Sequence, residues 1–138
     1  METSSASDTQ GSVPLRNEAD IVAARQMVRK LVTALKFSLV DQTKMITAAS
    51  ELARNTVVYG GGGDMLWELP VDGIKRGLRL RFKDEGPGIA DLGLALKDGW
   101  TSGKGMGLGL SGSKRLVHDF DIDTTVGVGT CVTVTRWK

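Results

Sequence analysis

Glu51 and Asn55 stand four residues apart, a spacing that puts both side chains on one face of a helix where they can serve a single polar cluster. Alone, Glu-x-x-x-Asn describes an ordinary solvated helix face, since both residue types are usually exposed. Its surroundings change the reading. Leu52 and Ala53 beside the pair are apolar, and the segment runs straight into Gly60-Gly61-Gly62-Gly63, which places the pair near a flexible cavity edge. Asp84 closes an alternating stretch and is followed by Glu85-Gly86-Pro87-Gly88. Glycines there permit a sharp turn and near contact between backbone and a flat ligand, while the carboxylate can accept a hydrogen bond from an exocyclic amine. The competing explanation is a turn that merely ends a strand, because Asp, Gly and Pro are the ordinary turn residues.

Gly103, Gly105, Gly107 and Gly109 precede or open a helix, an arrangement that leaves backbone N–H groups free to surround phosphate oxygens at the positive end of the helix dipole. This is the strongest local feature of the chain. Gly107-Leu108-Gly109-Leu110-Ser111-Gly112 also satisfies G-x-G-x-x-G, but the dinucleotide fingerprint should follow a buried strand, and here a polar loop from Asp98 to Lys104 precedes it. A P-loop fails as well, since Gly105 follows Lys104 where Ser or Thr should ligate magnesium.

Elements must position these groups. Ser12 to Arg16 reads as a short edge strand, and a helix capped by Asn17 or Asp20 runs to about Leu35, with Ile21, Val22, Met27, Val28, Leu31, Val32 and Leu35 recurring near helical spacing as its core face. A second helix from about Val40 to Tyr59 turns Ile46, Ala49, Leu52 and Ala53 inward until the four glycines end it. Met65 to Val71 and Gly77 to Lys83 read as a hairpin, with Leu78, Leu80 and Phe82 alternating against Arg79, Arg81 and Lys83. A short helix over Asp91 to Lys97, a helix from Leu108 to Phe120, and strands Asp121 to Val126 and Thr130 to Trp137 complete the order. Strands come in adjacent pairs with no interleaved crossover helices, which predicts an α+β fold: a mostly antiparallel sheet with helices on one face.

The 138 residues fit one domain, expected over 12–138 behind a disordered Ser/Thr-rich leader at 1–11. With 18 Lys+Arg against 16 Asp+Glu the charge is nearly balanced, so composition gives nucleic-acid binding no support, and no apolar run approaches membrane length. The lone Cys131 makes no intramolecular disulfide and has no metal-ligand spacing around it, which suits a reducing cytoplasm; His118, the one histidine, stands far from any acceptor motif. Of 18 glycines, half fall between Gly86 and Gly112.

Taken in order, Ser50-Glu51-Leu52-Ala53-Arg54-Asn55, Asp84 to Gly88 and Gly105 to Leu110 resemble the N, G1 and G2 boxes of the GHKL ATPase superfamily. From about Val13 to Trp137 the chain is most similar to its anti-sigma-factor serine kinase branch, and within that to the RsbT-type switch kinases of the bacterial stressosome; Asp20 to Gln26 and Lys114-Arg115-Leu116 carry the same likeness. The resemblance implies the Bergerat-type two-layer sandwich, ATP and Mg²⁺ as ligands, and a role for each motif residue. Asn55 would offer its amide oxygen to Mg²⁺, and Glu51 would act as general base. Asp84 would receive the adenine amine with Gly86 and Gly88 against the base. Gly105, Met106, Gly107, Leu108, Gly109 and Leu110 would wrap the phosphates, and Thr130 would support adenine through water. Lys104 would neutralise phosphate charge or remain a solvated loop lysine. The implied function is an ATP-dependent serine/threonine kinase that phosphorylates a STAS-domain antagonist in a stressosome-type complex and, once released, activates a PP2C-type phosphatase. The alternative is an anti-sigma factor that sequesters a sigma subunit. Anti-sigma kinases usually follow the N box with a histidine, whereas here Thr56-Val57-Val58-Tyr59 leads into glycines.

Overall fold

Alternation builds the sheet and helical spacing covers it. In a computed structural model, residues 9–91, 93, 96 and 106–138 are described, with 106–109 described for backbone alone. The elements are β1 (Gln10–Leu15), α1 (Glu18–Ala34), α2 (Leu39–Val58), β2 (Gly63–Glu68), β3 (Val71–Asp72), β4 (Lys75–Asp84), α3 (Met106–Arg115), β5 (Asp119–Thr125) and β6 (Gly129–Trp137). The strand order is β1-β2-β4-β6-β5, with β3 on β4, and every described pairing is antiparallel.

Register lines up the apolar residues across the sheet. Val13, Met65, Phe82, Val132 and Ile122 form one row, and Trp67, Leu80, Val134 and Phe120 form the next. Because side chains alternate with a period of two, both rows share a face. That face meets Ile21, Val28, Leu31 and Val32 of α1, Met45, Ala49, Leu52 and Ala53 of α2, and Leu110 of α3 in a single core cluster. The other face carries Arg79 and Arg81, which both pair with Glu68 across the strand at 3.3 and 3.4 Å.

Several boundaries differ from expectation, each for a visible reason. Asn17, and not Asp20, caps α1: its Oδ1 accepts from Asp20 N at 3.0 Å, while Asp20 Oδ2 accepts from Arg16 N. β1 starts at Gln10, because Gln10 pairs with Glu68 and Leu69 N donates to Thr9 O, so the end of the expected leader belongs to the sheet. The expected helix to Phe120 stops at Arg115. His118 N donates to Thr135 O and Phe120 pairs with Val134, so the strand ladder claims a residue whose spacing from Leu116 fitted helix equally well. Most of the helix expected over 91–97 lies outside the described residues.

At the far end of β6, Arg136 lies on the core face, with 8% of its surface exposed. Its Nη1 donates to Leu116 O at 2.9 Å, just past α3, and its Nη2 donates to Asp41 Oδ1 at 2.5 Å, in the first turn of α2. The hydrogen bond from Arg136 holds the Asp41 carboxyl below the usual carboxylate range; partial burial opposes it, and the Arg136 charge assists. A carboxylate depressed in the folded state adds stability above its ordinary pKa and loses it as pH falls through the folded value. Asp41→Asn should therefore melt below the parent at neutral pH, with the gap shrinking below about pH 4. A gap that stays constant in thermal melts across that range would contradict the assignment.

Candidate functional site

A cleft of about 290 Å³ opens where the last two turns of α2, the end of β4, the turn after it, α3 and the start of β6 converge. Leu52, Phe82, Ile89, Leu110 and Val132 give it apolar walls, and Asn55, Asp84 and Thr130 give it polar points. Such a cavity, mostly apolar with a few convergent polar groups, suits a flat small molecule.

Asp84 is fixed by backbone. Its Oδ1 accepts from Gly86 N at 2.9 Å and from Thr130 N at 3.2 Å, which locks the carboxylate plane and leaves Oδ2 with no protein donor among the described residues. Thr130 Oγ1 lies 2.8 Å from Thr124 Oγ1, and Thr124 Oγ1 accepts from Ile89 N at 2.9 Å. Gly127 N donates to Pro87 O at 2.8 Å, so the turn after β4 is pinned to the β5–β6 hairpin on both sides. The result is a rigid acceptor beside an apolar slot.

Missing side chains make this arrangement possible. A Cβ on Gly60 would come within 2.5 Å of Asp84 Cγ, and one on Gly86 within 2.7 Å of Gly60 O. A Cβ on Gly63 would lie 1.8 Å from Lys83 O. Gly88 has φ +77 and backs onto Thr125 O. The four-glycine run therefore does more than provide the flexible exit expected of it: Gly60 and Gly63 are packed walls of the Asp84 site. Gly112 is the opposite case. Among the described residues a Cβ there meets nothing within 4 Å, whereas the third glycine of a dinucleotide fingerprint serves close helix packing, so the structure supports setting that fingerprint aside.

Asn55 reaches the cleft, and its buried Nδ2 has no hydrogen-bond partner among the described residues. An unpaired buried amide is costly, so its place at a cleft wall suits a ligand group. Turning the amide over puts Oδ1 in the same position, able to meet a cation. Among the described residues no cluster of three or more His, Cys, Asp or Glu could hold a metal alone, so a Mg²⁺ here would draw most of its shell from phosphate oxygens and water. Glu51, one turn earlier on α2, is exposed and is not on the cleft wall. Met106, Gly107, Leu108 and Gly109 form the first turn of α3, whose leading N–H groups lack helical partners. Gly103, Lys104 and Gly105 lie outside the described residues. Sequence reasoning missed Tyr59, Gly60, Thr124 and Ile89.

An acceptor for an exocyclic amine, an apolar slot for a flat base, and a polar end with a helix N-terminus together suit an adenine nucleotide. Residues 40–138 match the family described as histidine kinase-, DNA gyrase B- and HSP90-like ATPase. The chain belongs to this ATPase family. It is 41% identical over 128 residues to the serine/threonine-protein kinase RsbT of Bacillus subtilis, covering 93% of this chain and 96% of that protein. Within the ATPase family it is accordingly a protein serine/threonine kinase, and ATP is the nucleotide the family implies. Two solved structures share the fold. The RsbU and RsbW domains of a Mycobacterium tuberculosis protein superpose with TM-score 0.63 at 17% identity, covering 95% of this chain and 33% of that one. The SiaB–SiaC complex of Pseudomonas aeruginosa gives TM-score 0.54 at 11% identity, covering 94% and 89%.

Two glycine substitutions separate the ATPase site from the fingerprint. Gly60→Ala should displace the Asp84 carboxylate and weaken ATP binding by roughly tenfold or more, because a charged hydrogen bond is lost. Gly112→Ala should bind ATP within about twofold of the parent and gain up to about 1 kcal/mol of stability from helix propensity. Calorimetric titration and thermal melts check both. Normal binding by Gly60→Ala, or lost binding by Gly112→Ala, would contradict the assignment.

Proposed function

We propose that this kinase is a partner switch: it phosphorylates a Ser or Thr of a small STAS-domain antagonist held on a stressosome-type scaffold and, once released, activates a PP2C-type phosphatase or similar effector. The observation that carries the site reading is the backbone-locked Asp84 facing the same cleft as the Asn55 Nδ2, which has no partner among the described residues. The similarity along nearly the full length of RsbT supports the kinase class.

In this reading Asp84 Oδ2 accepts from the adenine amine, Gly86 and Gly88 keep the floor under the base free of side chains, and Thr130 supports the base through water. Gly105 to Leu110 and the N-terminus of α3 surround the phosphates, with Lys104 adding positive charge nearby. Asn55 ligates Mg²⁺, which supplies charge neutralisation along the polyphosphate when bound. Glu51 takes the proton from the attacking hydroxyl as its oxygen bonds to the γ-phosphorus and the bond to the ADP leaving oxygen breaks. Exposure of Glu51 suits this role, since the acceptor arrives on another protein. No helix among the described residues is long and apolar enough to cross a membrane, and a cytoplasmic setting fits the reading.

Incubation with MgATP and a STAS-domain protein encoded beside this gene should give phosphoserine or phosphothreonine on that partner. Glu51→Ala should cut the rate by roughly 10²-fold or more while leaving ATP affinity within a few fold. Phosphorylation by Glu51→Ala at the parental rate would sink the assigned base. Co-purification with a sigma subunit in place of a STAS protein would overturn the partner switch.

A further inference from the structure

Among the described residues, Arg136 is the one charged side chain that is buried, and the nucleotide site does not touch it. It stands six residues along β6 from Thr130, about 20 Å from the cleft at strand rise. A guanidinium is expensive to hold away from water, and here its Nε has no partner among the described residues. Packing against Leu78 and its neighbours would be served as well by an apolar side chain. What the arginine adds is a fork: one nitrogen on the carbonyl of Leu116 and another on the carboxylate of Asp41.

Those two acceptors are matching ends of two helices. Asp41 lies in the first turn of α2, and Leu116 directly follows α3. At the opposite ends, the second half of α2 brings Leu52 and Asn55 to the cleft, and α3 brings Leu110. The two helices therefore run antiparallel, tied together at one end by Arg136 and facing the nucleotide at the other. α3 is ten residues long, about 15 Å, so its first turn hangs from an anchor one helix length away. Charge favours the tie at each contact, with a cation at the carbonyl end of α3 and a carboxylate at the N–H end of α2. The adenine floor is held separately, through Asp84, Gly86 and Thr130 on the sheet.

We propose that Arg136 is a positioning residue for phosphate recognition: by tying the end of α3 to the start of α2, it fixes where the first turn of α3 stands relative to Asn55. Loss of the fork lets α3 shift against α2 and spoils the phosphate end of the site while the adenine end stays intact. This rests on the ATP-site reading above.

The test compares AMP with ATP, both with Mg²⁺, by calorimetric titration of the parent, Arg136→Lys, Asp41→Asn and the double variant. Lysine keeps a cation beside Asp41 but cannot hold both acceptors with a rigid fork. The expected result is AMP affinity within twofold of the parent for all variants, ATP affinity about tenfold weaker for Arg136→Lys, and a smaller loss for Asp41→Asn. The double variant should be no weaker than Arg136→Lys, because the two side chains act as one unit. Parallel loss of AMP and ATP affinity would show a general structural role and overturn the proposal, as would unchanged ATP affinity. If Arg136→Lys fails to fold, the AMP-to-ATP comparison in Asp41→Asn decides in the same way. A parent that binds no ATP would overturn the function reading and this one together, whereas a parent that binds ATP beside unaffected variants overturns this one alone.

Discussion

The site depends on one carboxylate that is satisfied by main chain. Asp84 ends β4, and its Oδ1 takes hydrogen bonds from the backbone of the turn that follows and from the first residues of β6. Backbone donors cannot swing away as side chains do, so the second oxygen is presented to the cleft in a fixed direction with no reorganisation on binding. That geometry demands that α2, β4 and the β5–β6 hairpin approach more closely than any Cβ permits, which explains Gly60 against the carboxylate, Gly86 against the backbone of Gly60, and Gly129 against the main chain of Asp84. The sheet register then follows. Gly63 pairs with Asp84 on one side and Thr130 pairs with it on the other, so a slip of either strand would remove the donor and the floor together.

Two supports of different kind meet at the cleft. The Asp84 side is sheet, held by cross-strand hydrogen bonds and a continuous apolar core. The Asn55 side is helical, held by the packing of α2 and α3 and by the Arg136 fork at their distant ends.

Much of this was legible in the sequence. The alternation of Leu78, Leu80 and Phe82 fixed the buried face of β4, and the order of Glu51-x-x-x-Asn55, Asp84-x-Gly86 and the glycine-rich turn identified the ATPase family before any coordinates. What stayed hidden was long-range. Gly60 looked like a helix stop because nothing local reveals that it packs against a side chain 24 residues on. Thr124 had no motif of its own, and its worth comes from lying opposite Thr130 across β5 and β6. Phe120 was assigned to a helix because a four-residue spacing from Leu116 serves both periods, and only the ladder to β6 chooses between them. Arg136 sits in a strand full of Thr and Val and carries no motif; its partners are 20 and 95 residues away.

The central claim is that Asp84 Oδ2 recognises the exocyclic amine of adenine. Comparing ATP with inosine triphosphate tests it most directly, since inosine carries a carbonyl oxygen where adenine carries the amine. Calorimetric titration of the parent should show ATP binding at least about tenfold tighter, with the preference collapsing in Asp84→Asn, whose amide can donate to that oxygen. Equal affinity of the parent for the two nucleotides would contradict the account.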